Sequence, residues 1–248
     1  MIETIEGIVL KQTEYKENDC IITILTESGK ESLYARGIRK PTSKNSYACS
    51  SLMRSNFQFE RKEKKIPVVL GARISENYIS KLNDYQKIMI ASIMCEIINE
   101  ISDDQSLSCS HLYHILANAI NALVKYKAYY LVFCLFLSDI LNEVGVNLIV
   151  DECSGCSLQQ INAISIEAGG FVCQKCLQHI QATQYDKEFL QKFRFVNKAE
   201  YEHIPKLLEF APYQKQLVVL LSEFLVEYAG IRQKSFKFLK EFPDDDSV

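Results

Sequence analysis

CSGCSLQQINAISIEAGGFVCQKC, residues 153–176, contains two C-x2-C pairs separated by sixteen residues. Each C-x2-C turn presents two thiolates toward one point, and two such turns complete the tetrahedral sulfur set that zinc takes with bonds of about 2.3 Å. The spacing is that of zinc ribbons and knuckles. Gly155 frees the first turn, and Gly169 with Gly170 permits a sharp bend into the second. Four thiolates leave no open coordination position. Cys153, Cys156, Cys173 and Cys176 are therefore expected to hold one structural Zn2+ rather than a catalytic ion. A redox dithiol and a remnant site that has lost its metal are the competing readings, and the βαβ setting that redox pairs use is missing here. His179, three residues beyond Cys176, is an outer neighbour of the ion at most.

On both sides of this segment the hydrophobic period is helical. Ile88, Ile90, Ala91, Ile93, Met94, Ile97, Ile98 and Ile101 predict a largely buried helix with Asp84 as its N-cap. Leu112 through Leu123 predicts a second, and Tyr130 through Val144 a third, closed by Gly145. Beyond the cysteines, helices are expected near 186–196 and 200–210, with a long one from Pro212 to Gly230. Cys95 and Cys134 fall within these apolar patterns and read as core thiols. Nine cysteines, an odd number, argue against a complete disulfide framework.

The first 80 residues have another rhythm. Runs at Ile5–Leu10, Ile21–Leu25, Leu33–Ala35, Phe57–Phe59 and Val68–Ile74 predict five short strands, with Ser28 and Gly29 marking a turn. Five strands in this length suit a small closed barrel, of which the OB-fold is the common case. The expected architecture is α+β: an OB-type barrel over 1–80, a helical domain over 81–248, and a zinc-binding insertion at 151–178.

Net charge is only −3, but its distribution is uneven. Residues 1–81 hold 14 Lys and Arg against 10 Asp and Glu; the remainder holds 14 against 21. The stretch from Lys30 to Lys65 has ten basic and three acidic residues, a local cationic surface on an acidic body. Arg36, Arg39, Lys40 and Lys44 follow the third strand, and Gly37 and Pro41 constrain that loop. Arg54, Arg61, Lys62, Lys64 and Lys65 flank the fourth. On an OB barrel, such cations track a phosphate backbone while aromatics offer stacking surfaces. Tyr34, Tyr47, Phe57 and Phe59 are in range, although at least one of the phenylalanines is expected in the core.

No phosphate-binding G-x-x-x-x-G-K-[ST] loop, dinucleotide fingerprint, H-E-x-x-H or nucleophile elbow is present, so a non-enzymatic binding protein is expected. The N-terminus lacks the basic region of a signal peptide, and the longest apolar run, Ala128–Leu137, is too short to span a bilayer. A cytoplasmic location is expected.

The stretches EGIVLK (6–11), YKEND (15–19), TESGK (26–30) and ARGIRKP (35–41) with Ser43 resemble, in order and spacing, the opening of the RecO family of bacterial DNA repair and recombination proteins. The C-x2-C…GGFV-C-x2-C segment is similar to the cysteine motif of its zinc-bearing members, and LLSEFL (220–225) with KSFKFL (234–239) to its closing helix and turn. The resemblance implies a nucleoid-associated recombination mediator. It would bind single- and double-stranded DNA, anneal complementary strands, and act with RecR to load RecA on DNA coated by single-strand binding protein (SSB). By position, the family's DNA-binding face maps to Lys11, Arg36, Arg39, Lys40 and Lys44, with Arg54 and Arg61 as outlying members. The basic stretch Arg232, Lys234, Lys237 and Lys240 is the candidate for the acidic SSB C-terminal tail. The alternatives are an RNA-binding or transcription-associated OB and zinc-ribbon protein, and a zinc- or thiol-dependent enzyme.

Overall fold

The computed structural model describes residues 1–213 and 215–232; KSFKFL and the cations Lys234, Lys237 and Lys240 lie outside them. The chain divides into two compact units, 1–124 and 125–248.

The first unit begins with five strands: β1 (Ile2–Tyr15), β2 (Asp19–Thr26), β3 (Gly29–Ala35), β4 (Met53–Glu60) and β5 (Val68–Asn77). They close in the order β1-β2-β3-β5-β4, with β4 returning to β1. The closure between β3 and β5 is parallel, at Tyr34 and Val68, and all other pairs are antiparallel. This is the five-stranded OB-type barrel anticipated from the strand runs. Alternate residues fill it: Val9, Ile22, Ile24, Leu33, Phe57, Phe59 and Met53 are buried together, with Cys49 from the preceding loop. Phe57 and Phe59 are both core residues, so neither offers a stacking face.

β1 is longer than its apolar run. Lys11 to Tyr15 are polar or exposed, yet they pair with Thr23 back to Asp19 across a hairpin. The register slips between Val9 and Lys11, a bulge of the kind that bends a barrel strand. Three helices follow: α1 (Tyr78–Leu82), α2 (Tyr85–Ile101) and α3 (Cys109–Lys125). Asp84 caps α2 as expected, its Oδ1 accepting from the Lys87 N–H at 3.0 Å.

The second unit is built on α4 (Tyr129–Glu143), which is buried along nearly its whole length and packs against α7 (Lys215–Ala229). Gly145, at φ +84°, ends α4 in a Schellman closure. The Val146 N–H donates to Leu141 O at 2.8 Å and the Gly145 N–H to Asn142 O at 3.0 Å. Between α4 and α5 (Lys187–Val196) lies a small three-stranded sheet, β7-β6-β8, from β6 (Ala163–Ser165), β7 (Gly170–Val172) and β8 (Thr183–Gln184). The expected helix at 200–210 is instead a single turn, α6 (Ile204–Leu207), between two 3-10 turns. The last helix starts at Lys215, not Pro212. The Pro212 carbonyl is bound by the Lys192 Nζ at 2.7 Å, which holds it in the preceding loop.

Candidate nucleic-acid face and four-thiol cluster

The four cysteines converge. Their Sγ atoms all lie within 4.8 Å of one another, and Cys156 and Cys173 are 3.5 Å apart. Sulfurs tetrahedral about a zinc with bonds of about 2.3 Å would stand about 3.8 Å apart. A disulfide would require about 2.05 Å. The donor set therefore fits a thiolate-binding metal ion. Local structure explains the convergence. A Cβ on Gly155 would meet Ile180 Cδ1 at 2.8 Å and Cys176 Sγ at 3.1 Å, so the first turn closes on the second only without a side chain. A Cβ on Gly170 would meet Ile149 O at 2.2 Å, where that backbone crosses β7. Cys153, Ala163, Val172 and Cys173 are buried together under Ile161, Leu177 and Ile180, a core too small to hold the segment alone.

The thiols also differ in how they hold charge. Burial opposes ionisation of Cys153, but N–H groups of Cys173, Gly155 and Cys156 turned toward its sulfur outweigh that and bring it down to about 6. Cys176 is pushed up to about 12, first by the adjoining Cys156 sulfur. Four thiolates cannot coexist at this spacing without a cation between them. An ion held by all four sulfurs would have no open coordination position. His179 is exposed and outside the cluster. Elsewhere, burial pushes the Cys95 thiol up to about 12 and Cys134 higher still, as inert core thiols require.

The barrel's cations divide into two groups. The loop after β3 is pinned by Asp19, which opens β2. One carboxylate oxygen accepts from the Tyr34 hydroxyl and the other from the Gly37 N–H at 2.7 Å. The Tyr34 hydroxyl, then the Gly37 N–H, hold Asp19 below the ordinary carboxylate range. Gly37 stands at φ +63°, a left-handed turn that favours glycine. The Arg39 N–H then donates to Asn18 O at 3.0 Å, tying the loop to the β1–β2 hairpin. Ile38, Ala48 and Cys49 anchor it in the core. Arg36, Lys40 and Lys44 are left exposed on this frame, and with Lys11 on β1 they make no ion pair among the described residues. Arg39 is exposed and has one carboxylate, Glu14, at 3.0 Å.

In the second group Arg61, Arg54 and Lys30 are neutralised. Arg61 Nε is 3.0 Å from Glu3 and its Nη2 is 3.1 Å from Glu31, so it clamps β1 and β3 to the end of β4. Arg54 Nε is 3.3 Å from Glu6. Lys30 is drawn to α2, donating to Asn99 O at 2.8 Å and pairing with Asp103 at 2.6 Å. Two residues outside the cationic stretch join the face. Tyr15 packs edge-to-face on Tyr34 with centroids 5.7 Å apart, and Lys16 Nζ lies 5.4 Å from the Tyr15 ring. The sequence signal for them was an aromatic and a lysine at a hairpin tip, legible only once β1 is known to run to Tyr15.

A closed OB-type barrel with an exposed cationic loop, joined to a helical unit carrying a four-thiol cluster that could hold a metal ion, defines a modular binding protein. Family models agree on which one. Recombination protein O N terminal matches residues 1–78, and recombination protein O C terminal matches residues 82–236. The chain belongs to the RecO family. It is similar to the DNA repair protein RecO of Moorella thermoacetica, 26% identical over 97% of this chain and 91% of that one. It is also similar to those of Bacillus cereus, 24% identical over 97% and 98%, and Halalkalibacterium halodurans, 21% over 97% and 95%. Among the described residues no helix is long and apolar enough to cross a membrane.

Proposed function

We propose that this protein is a non-enzymatic recombination mediator of the cytoplasm and nucleoid. In this reading it binds single- and double-stranded DNA through the barrel, anneals complementary strands, and acts with RecR to load RecA on SSB-coated DNA. The carrying observation is the exposed cations Arg36, Lys40 and Lys44 on a loop tied to Asp19, with Lys11 on β1, none of which makes an ion pair within 4 Å among the described residues. Arg39 completes the group by exchanging Glu14 for a phosphate. Arg54 and Arg61, held by Glu6, Glu3 and Glu31, act as struts at the margin of that face.

Cations on a preformed loop lose little conformational freedom on meeting a phosphate backbone, and each neutralised phosphate releases counterion. Five such contacts give a salt dependence of about −3.5 in log K against log salt on a single strand, at about 0.7 per contact. The four cysteines hold one Zn2+, which keeps the β6–β8 module folded and takes no part in DNA chemistry. Arg232 and the lysines at 234, 237 and 240 remain the candidate for the acidic SSB tail.

The test is annealing of complementary oligonucleotides coated with SSB, without ATP, as salt is raised. Annealing that falls steeply with salt supports the reading; failure to bind single strands at low salt overturns it. RNA of the same sequence, added as competitor, separates the RNA-binding alternative, since 2′-hydroxyl contacts would make RNA the better ligand.

A further inference from the structure

Three features of the barrel meet around one aromatic side chain. The β1–β2 turn, residues 16–18, carries Lys16 and receives the Arg39 N–H on Asn18 O. The β4–β5 loop ends at Pro67, whose carbonyl accepts from the Tyr34 N–H at 2.7 Å. Tyr34 lies between them on β3, its hydroxyl tied to Asp19, with Arg36 Cζ 5.9 Å from its ring. Tyr15 stands edge-to-face against it, 87° between planes, and is 46% exposed although it is a large ring. In an OB barrel this position, between the first hairpin and the β4–β5 loop on the β2–β3 side, is where single strands lie.

We propose that Tyr15, backed by Tyr34 and flanked by Lys16 and Arg36, is a base-stacking platform that recognises single-stranded nucleic acid and adjoins the phosphate-binding loop at Arg36. This rests on the DNA-binding reading above and deepens it. The chemistry favours an unpaired base. Tyr34 is fixed at its hydroxyl, so the Tyr15 ring has a rigid wall behind it and loses little freedom on stacking. Lys16 lies by the Tyr15 ring through a flexible ammonium. An arriving base takes the ring face, and Lys16 moves to the neighbouring phosphate, so stacking replaces an exposed cation–π contact that is the weaker of the two. A duplex cannot use the platform, because its bases are stacked on each other. It meets only the cations, which read charge and not strandedness.

The experiment measures binding of the full-length zinc-loaded chain to three fluorescent probes of equal length: oligo-dT, the same strand with abasic sites throughout, and a duplex. Tyr15→Ala should weaken oligo-dT binding about tenfold, the effect of one lost stack. Duplex binding should change less than twofold, with the salt slope unaltered. Tyr15→Phe, which keeps the ring, should restore oligo-dT binding. The abasic strand should bind the unmodified protein about as weakly as oligo-dT binds Tyr15→Ala, an arm that needs no variant. Equal binding of abasic and normal strands, or a parallel loss of single strand and duplex in Tyr15→Ala, overturns the platform while leaving DNA binding intact. Absence of binding to any probe by the unmodified chain overturns the DNA-binding reading itself.

Discussion

The loop after β3 and the segment between α4 and α5 are both irregular, and each is held by one polar hub, but the hubs differ in kind. The loop converges on the carboxylate of Asp19, which takes two hydrogen bonds, and it is also anchored in the barrel core by Ile38 and Cys49. The cysteine segment converges on four sulfurs, with only a four-residue buried cluster of its own. A carboxylate hub orders a loop that is already folded onto something. A metal hub supplies the folding free energy that a small core lacks. The first leaves its cations free to meet a ligand, and the second leaves nothing free.

That contrast makes Cys153→Ser the most damaging single change. Losing one thiolate removes most of the metal's binding free energy, which in isolated zinc modules is on the order of 10 kcal/mol or more. Part is recovered because β6, β7 and α5 keep their own packing. A fall of about 10 °C or more in the melting of the helical unit is expected, matched by a strong chelator acting on the unmodified protein. Calorimetry with and without chelator measures it. A variant that melts with the parent would show that the cluster is no staple.

Asp19→Ala should be milder and local. The carboxyl is held below its ordinary 3.8 by the Tyr34 hydroxyl and the Gly37 N–H, so its ionised form is the one the fold favours. Its contribution is complete above the unfolded value and is lost as pH falls through the lower folded value. At pH 7 the variant should exchange the Gly37 and Arg39 amides faster and bind DNA several-fold more weakly, with global melting nearly unchanged. The difference in amide protection should shrink as pH falls through the parent's lowered carboxyl value, where the parent's carboxyl becomes protonated as well. Hydrogen exchange followed by NMR, from pH 7 down through that lowered value, reads both effects. No difference from the parent at any pH would mean that the loop is held by its core anchors alone.

Much of this was legible from residue order. The C-x2-C spacing announces the thiol cluster because two tight turns meet at one ion whatever lies between them. The caps at Asp84 and Gly145 mark their helices because the chemistry of a helix end is local. What failed to show depends on partners far away in the chain. Arg54 and Arg61 look like the loop cations until β1 pairs with β4. That register sets Glu3 opposite Phe59 and Glu6 opposite Asn56, and brings each glutamate beside a neighbouring arginine. Tyr15 was hidden for the same reason, because pairing with Asp19 carries β1 beyond its apolar run. Pro212 suits a first helical turn by propensity, yet a buried lysine from α5 claims its carbonyl.

The arginines themselves provide the last and smallest test. Arg39→Ala removes one cation that faces outward and has a single exposed carboxylate partner. It should lower the salt slope of DNA binding by about 0.7 to 0.9 and leave melting nearly unchanged. Arg61→Ala removes a cation already surrounded by two carboxylates and should leave the slope where it was. Its cost falls on the barrel instead and is small, since ion pairs this exposed contribute little. Paired titrations over a range of salt concentrations, each with a melting curve, separate the two. Equal slopes lost in both variants would mean that Glu3 and Glu31 release Arg61 to the phosphate. In that case the strongly paired cations of the barrel belong to the DNA face as fully as the free ones.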